Sequence, residues 1–564
     1  DIFGYLISVH SFVLTDQPKN SFETWHGTID ALLNSKKVND FQKFITVCEG
    51  FFSDGTIYDV PKYIWQVQGG EYTFEFERNR PKITFTNCDL KCYIMDRNAG
   101  KKENPYFDSM IVQNTSGVFE PFVNKWTGRG GKMDWARTGL DPKTNYAEIT
   151  DYILTMKQTK LECDSVKCYT DYYSEPMYGD FNDQAKIYNR DSDRNYPSFT
   201  SYSKKIVRKQ ILPDVDYVGG FAIAGADFSG VGYDKNPASL VFYQNGEPFA
   251  KATALQFRVN SKGARAVDCE VVMYPNDEDS LYHPGLTMNY TIEDEGKKVQ
   301  LELMRDNYGL AQAPFKDSYH ALDFYVDRII WTKGDPNINL TWHRNSPRKY
   351  ASFESQNYYS EKIYNQIQGM NAKHPLVAIW DYAYKYDLDV IPVNKISGAM
   401  GFTNNQAIPI LLDLANKGFI TDSSARKEIT IQPKLKKYID SRSGKSDYDQ
   451  IALNCNLLKI EKKSITSPDG REDKSAIEFN TRADSLNKRK ASAVNFGYYN
   501  LKTMDLTLNE VDPIQISPTQ KTVIFPSAGE LLVKKNLDFL FEGAVMSGKF
   551  EVYLKQGSFD YEKI

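Results

Sequence analysis

Two hydrophobic rhythms divide the chain. Ser21 to Leu33 and Val38 to Phe52 carry apolar residues at helical spacing, with Asp40 near the start of the second run, and predict helices in an N-terminal segment, residues 1–56. From Ile57 the period becomes two. Tyr63, Trp65 and Val67 alternate with less apolar neighbours, as do Tyr72, Phe74 and Phe76, and Gly69-Gly70 between the runs predicts a hairpin turn. The clearest alternation lies between Ala252 and Trp331. There Leu255, Phe257 and Val259 share a face, Asn260-Ser261-Lys262-Gly263 reverses the chain, and Val267, Cys269, Val271 and Met273 share the next face. Met288, Tyr290 and Ile292 lead through Glu293 to Gly296 into Val299, Leu301 and Leu303, and Leu322, Phe324 and Val326 close the series. Strands of roughly eight to ten residues exceed the common length of about five or six, which points to a wide sheet or an elongated stacked body. Gly220 to Phe228 and Gly543 to Phe550 each hold two glycines separated by four residues ahead of a Phe, as stacked strand units would.

The rhythm changes again near Ser352. Glu354 to Gln368 and Pro375 to Tyr386 read as helices, and a winged-helix-like pattern follows. Ile396 to Phe402 makes a turn, Asn404 to Lys417 a helix with Ile408, Leu411, Leu412 and Leu414 inward, and Gly418-Phe419-Ile420 enters a hairpin ending near Ile431. Pro409 falls inside that helix. A polar linker, Ser441 to Asp449, precedes renewed alternation from Ile451, interrupted by polar stretches at Ser464 to Lys474 and Asp484 to Lys490. The expectation is a mainly β fold: an elongated multi-stranded sheet or β-solenoid-like body with an N-terminal helical segment and an inserted helical, winged-helix-like module. Its regions are residues 1–56 helical, 57–351 β-rich, 352–445 the helical module and 446–564 β-rich again.

Composition narrows the functional classes. At 41% hydrophobic and 25% charged over 564 residues, the chain is a packed globular protein that needs no disulfide or metal to build a core. Lys and Arg total 69 against 73 Asp and Glu, so no global basic field attracts nucleic acid or an anionic membrane. With 37 Tyr and 32 Phe but 6 His, strand-forming side chains outnumber the common proton-transfer and metal-binding group. The start at Asp1 lacks a basic leader, a long apolar run and a small-residue cleavage site, so the chain is expected to begin within a longer precursor. No run of about 18 apolar residues suggests a membrane-spanning helix. The seven cysteines are too sparse for a disulfide framework, and Cys88, Cys92, Cys163 and Cys168 sit in strand-like sequence as buried thiols do, rather than in zinc knuckles.

Catalytic signatures are faint. Gly128-Arg129-Gly130-Gly131-Lys132 lacks the upstream glycine and following hydroxyl of a phosphate loop, because Trp126 and Met133 stand there. Gly219 to Gly232 lacks the helix and acidic residue of a dinucleotide site. Both glycine groups are expected as bends or bulges in a sheet. Asp191, Asp193 and Asn195 alternate oxygen ligands as a calcium loop does, but Tyr196 replaces its glycine and Tyr202 its terminal Glu; Asp277, Glu278 and Asp279 form a weaker acidic turn. Ser318, His320 and Asp323 fall on opposite strand faces and make no triad, while His283 and His320 have nothing that fixes a metal pairing. Trp126, Trp135, Trp331 and Trp342 are candidate sugar platforms, with packing as the competing role. On the helix Asn404 to Lys417 only Asp413 and Lys417 are charged, which disfavours nucleic acid despite a local cluster of Arg426, Lys427, Lys434, Lys436 and Lys437. Asn114, Asn289 and Asn339 fit glycosylation triplets.

Thr115-Ser116-Gly117-Val118-Phe119, Gly128 to Trp135 and Phe539 to Tyr553 together resemble large β-rich envelope proteins of Bacteroidetes bacteria, over most of residues 57–564. The resemblance implies an extracytoplasmic or envelope setting and supplies no catalytic residue. The resulting expectation is a noncatalytic, envelope-associated structural or binding protein with no cofactor, a long β surface and a helical docking module for a protein partner. The alternatives are a carbohydrate-active enzyme on a β scaffold and a lipid-binding β groove.

Overall fold

The computed structural model describes residues 2–15, 17–35, 38–95, 106–188, 194–233, 236–305, 313–342, 350–369, 371, 373–423, 427–457 and 495–563. The protein is mainly β, with 51% strand and 22% helix. The helices are α1 (Ile2–Leu14), α2 (Lys19–Asn34), α3 (Val38–Asp54), α4 (Glu361–Gln368), α5 (Pro375–Tyr386), α6 (Val393–Ala399), α7 (Asn404–Asn416) and α8 (Pro433–Arg442). Among the described residues, pairing joins 33 strands into one large sheet and three short strands into a second. Its ladders are antiparallel, as a chain that reverses at tight turns requires. The polar stretches from Ser464 to Lys474 and Asp484 to Lys490 lie outside the described residues.

The chain forms two compact units. One comprises Asp1–Ile206 and Gly219–Val231, the other Val207–Val218 and Gly232–Ile564. The strand Val215–Ala224 is divided between them: Val215 to Val218 pair with Ser239 to Phe242, while Gly220 to Ala224 pair with Asp227 to Val231.

In the first unit the aromatic faces of the N-terminal helices close over the strand Glu71–Glu77. Phe51 meets Tyr72 edge-on at 4.8 Å and Phe44 meets Phe74 at 6.0 Å. Ser21 Oγ donates to the Tyr72 carbonyl at 2.7 Å, tying α2 to the strand backbone. Burying each such ring contributes on the order of 1.5–3 kcal/mol. Gly69-Gly70 makes a kink and not the expected hairpin turn. Tyr63–Gln68 and Glu71–Glu77 both pair with the long strand Arg80–Met95, one after the other. The reason is steric: a Cβ on Gly70 would lie 2.4 Å from the Thr86 carbonyl oxygen, so the bend needs glycine to approach that backbone.

The second unit holds the clearest alternation. Phe257 and Val259 are buried in Gln256–Asn260, the side chain of Asn260 accepts from the Lys262 amide at 3.0 Å, and the chain turns back at Gly263. Leu255 lies before this strand and is exposed. Val267 is also exposed, because a bulge between Ala266 and Cys269, with Asp268 at φ 51°, throws it outward before Cys269, Val271 and Met273 resume the inward face. The two glycine segments are both hairpins. Gly225-Ala226 and Gly548-Lys549 are two-residue turns, each with a left-handed glycine first, at φ 62° and 59°.

Candidate docking site on the helical module

Residues 361 to 442 carry their own core. Leu376, Ile379, Ile396, Leu411, Leu414 and Phe419 are buried together, closed by Leu435 and Tyr438 of α8. Local chemistry starts α5 and α7. His374 caps α5 by accepting from the Leu376 amide at 3.2 Å, and Thr403 with Gln406 forms a capping box on α7. Val390–Pro392, after α5, and Ile420–Ser423 and Glu428–Ile431, after α7, make the small sheet, with Glu428–Ile431 in the centre. On α7, Leu411 and Leu414 face inward with Ala407 and Ala415, whereas Ile408 is exposed. The expected helix from Glu354 begins later: Tyr350–Ser355 is a strand, and α4 starts after its Ser360 cap.

One buried cation fixes this module to the sheet. Lys434, on the first turn of α8, points into the protein with its side chain 10% exposed. Its Nζ donates to Asp323 Oδ2 at 3.0 Å, to Tyr325 OH at 3.0 Å and to Glu354 Oε2 at 3.2 Å. Burial alone would favour neutral Lys434, but the Tyr325 hydroxyl and the Asp323 and Glu354 carboxylates outweigh it and hold the pKa well above the usual lysine value. Lys316 Nζ donates to Gln432 Oε1 at 2.6 Å, and Tyr325 OH donates to the Lys417 carbonyl at 3.3 Å. Ammonium, carboxylates and phenol thus satisfy one another across residues far apart in sequence.

The expected basic cluster is therefore dispersed. Lys434 is interior, Lys436 pairs with Asp440, Lys437 donates to Asn357 Oδ1 at 3.1 Å, and Arg426 lies outside the described residues. Asp413 and Lys417 pair with each other, so α7 presents amides such as Asn404 and Asn405 rather than unpaired cations. What the module exposes instead is aromatic. Tyr384 is 80% exposed and stacks on Trp380 at 6.4 Å, Tyr386 is exposed beside Tyr382 on another stripe of α5, and Leu388 and Val390 are exposed between that helix and the edge of the small sheet. The ammonium of Lys436 lies 5.5 Å from the Trp380 ring centre.

The other candidate residues have structural surroundings. Trp126 and Trp135 are fully buried and donate to Tyr152 OH at 3.1 Å and the Pro197 carbonyl at 3.0 Å. Trp331 is buried against Phe249 at 4.7 Å. None of these three offers a ring face to a sugar, and Trp342 is half-buried beside Phe496. Gly117 and Gly128 make room for this packing: a Cβ would lie 2.5 Å from Trp126 at the first and 2.1 Å from Tyr152 at the second. Asp191 and Asp193 lie outside the described residues, while Asn195 is exposed and accepts from Tyr188 OH at 3.4 Å. The acidic turn at Asp277 is shaped by Asn276, whose Oδ1 accepts from the Glu278 and Asp279 amides.

His283 and His320 do not form a metal pair. His283 is buried with its ring engaged by the Ala313 carbonyl and the Gly285 amide. His320 lies between Asp317 and the Met504 carbonyl, Ser318 donates to Asp279, and Asp323 faces Lys434. All seven cysteines are buried free thiols, and burial pushes Cys88, Cys163 and Cys168 up to about 12, which keeps them protonated. Among the described residues no group of three His, Cys, Asp or Glu side chains is placed to hold a metal, and no helix is long and apolar enough to cross a membrane. Asn289 and Asn339 spend their side chains within the sheet, on Glu302 and Asn495, and Asn114 is exposed on its strand.

Sequence reasoning missed two features of this region. It passed over α8, whose Pro433 at the first helical turn is a start signal, and it gave Lys434 to the surface. No protein-family model, curated protein or solved structure matches the chain.

Proposed function

We propose that this chain is a noncatalytic binding protein of the bacterial envelope, in which the sheet is the scaffold and the helical module docks a protein partner. The observation that carries the reading is the number of exposed aromatic and aliphatic side chains, Tyr384, Tyr386, Leu388 and Val390, on the end of α5 and the strand after it, in a module held by the buried Lys434. Exposed aromatic side chains on a firmly held body are what a partner protein uses as anchors. The order helix, strand, helix, helix and two further strands from α5 to Glu428–Ile431 supports a winged-helix-like description. Its helix α7 lacks the phosphate-binding cations of a DNA reader, which favours protein over nucleic acid. The envelope setting rests on the resemblance of Thr115 to Phe119, Gly128 to Trp135 and Phe539 to Tyr553.

The test is photo-crosslinking in envelope preparations, with a benzophenone amino acid at position 384 and, as a control, at the exposed Tyr178. A discrete protein adduct at 384, absent at 178 and lost in the Tyr386→Ala/Leu388→Ala background, is the expected result. No adduct at 384, or the same adduct at both positions, refutes the reading.

A further inference from the structure

The large sheet has an open edge at Phe550–Phe559. On one side this strand pairs with Phe539–Ser547, and among the described residues no strand lies on its other side. Natural edges of this length are usually blocked by proline, by inward charge or by a covering loop. Here the strand contains no proline, and Phe550, Val552 and Tyr553 are 79%, 54% and 56% exposed. A bulge sets Lys555 and Gln556 together opposite Glu542, so the regular stretch runs from Phe550 to Leu554 and Lys555 follows it directly. Glu551 and Tyr553 share one face, which Lys555 joins beside Glu542, and Phe550, Val552 and Leu554 share the other. Tyr553 is held in place by its hydroxyl, which donates to Glu542 Oε1 at 2.9 Å.

The geometry points to a second copy of this chain as the occupant of that edge, paired antiparallel about a two-fold axis through Tyr553. A two-fold axis that brings identical strands side by side and antiparallel stands perpendicular to the sheet, so each face meets the same face of the other copy. Centred on Tyr553, it sets Glu551 opposite Lys555 of the second copy and Lys555 opposite Glu551, two opposite-charge pairs. On the other face Val552 meets Leu554 and Leu554 meets Val552. Moving the axis one residue back, to Val552, sets Lys555 against Lys549, and moving it to Glu551 or Lys555 opposes like charges directly. The Tyr553 register alone matches opposite charges on this face. Neither Glu551 nor Lys555 has an ion-pair partner among the described residues, so both are available. This association is independent of the docking role proposed for the helical module.

The test uses the full chain. Sedimentation velocity from 1 to about 100 µM should show a concentration-dependent dimer. Glu551→Lys should weaken it at least tenfold, Lys555→Glu likewise, and the charge-swapped Glu551→Lys/Lys555→Glu chain should regain it. Because every native cysteine is buried, Tyr553→Cys adds one exposed thiol at the axis, and mild oxidation should give a disulfide-linked dimer that Lys549→Cys does not give. A monomer at every concentration overturns the proposal, as does a dimer indifferent to both single charge reversals. Circular dichroism of each variant separates loss of pairing from loss of fold.

Discussion

Replacing Lys434 by methionine isolates the contribution of the buried ammonium, because the apolar stem is nearly preserved. The change leaves the Asp323 and Glu354 carboxylates, with side chains 5% and 18% exposed, without their cation, and the Tyr325 hydroxyl without its donor. Removing one partner of a buried pair costs about 3–5 kcal/mol, since the remaining charge stays desolvated. At about 1.4 kcal/mol per decade, opening of α8 from the sheet becomes roughly a hundredfold to a few thousandfold more frequent. Hydrogen exchange reads this locally: amides of α8 should lose that much protection, while those of α3 in the other unit keep theirs. Neutralising the acids as well, in Lys434→Met/Asp323→Asn/Glu354→Gln, should recover part of the loss, because no unpaired charge then remains buried. Exchange in α8 within threefold of the native chain, or a triple variant that loses the sum of its parts, refutes the reasoning. The native linkage has one sign. A lysine whose folded pKa is raised stabilises the fold below its unfolded value near 10.4 and loses that contribution as pH climbs through the folded value, so the Lys434 anchor weakens only in strong alkali.

Other predictions concern single groups. Burial pushes the Asp183 carboxyl up to about 6 despite the Arg137 guanidinium beside it, so the folded chain keeps that proton longer and its stability declines as pH rises from about 4 to about 6; urea unfolding across that range should show a slope that Asp183→Asn removes. Burial pushes His283 down to about 3, so its contribution is intact above about pH 6.5 and is lost as pH falls toward 3; its ring proton resonances should not titrate between pH 5 and 8. Gly128→Ala places a Cβ 2.1 Å from the Tyr152 ring and should cost about 1–3 kcal/mol, seen in tryptophan fluorescence during denaturant unfolding; a neutral result would show that the strand has slack there.

The fold was legible wherever a residue's role is set by its nearest neighbours in sequence. Val299, Leu301 and Leu303 alternate inward as their period demands, and α5 spans Pro375–Tyr386 as its apolar spacing indicates. Bulges broke the reading: Val267 has the right parity, but the extra residue at Asp268 turns it outward, and no local signal marks a bulge without glycine. Gly69-Gly70 carries the composition of a turn, yet its conformation is dictated by Thr86 on another strand. The same holds for the site. Lys434 reads as a surface cation because its two carboxylate partners lie 80 and 111 residues away. The tryptophans read as platform or packing, with packing favoured, and burial of Trp126, Trp135 and Trp331 makes packing their role, Gly117 and Gly128 giving Trp126 its room.

The shared strand Val215–Ala224 bears on inheritance and dissection. Because the chain leaves the first unit at Ile206, returns at Gly219 and leaves again at Val231, no single scission yields two complete bodies. A gene fragment ending at residue 206 would omit the hairpin that finishes the first unit, and one beginning at 232 would omit Val215 to Val218, which flank Ser239 to Phe242. Shuffling either unit as a cassette would therefore need at least three breakpoints.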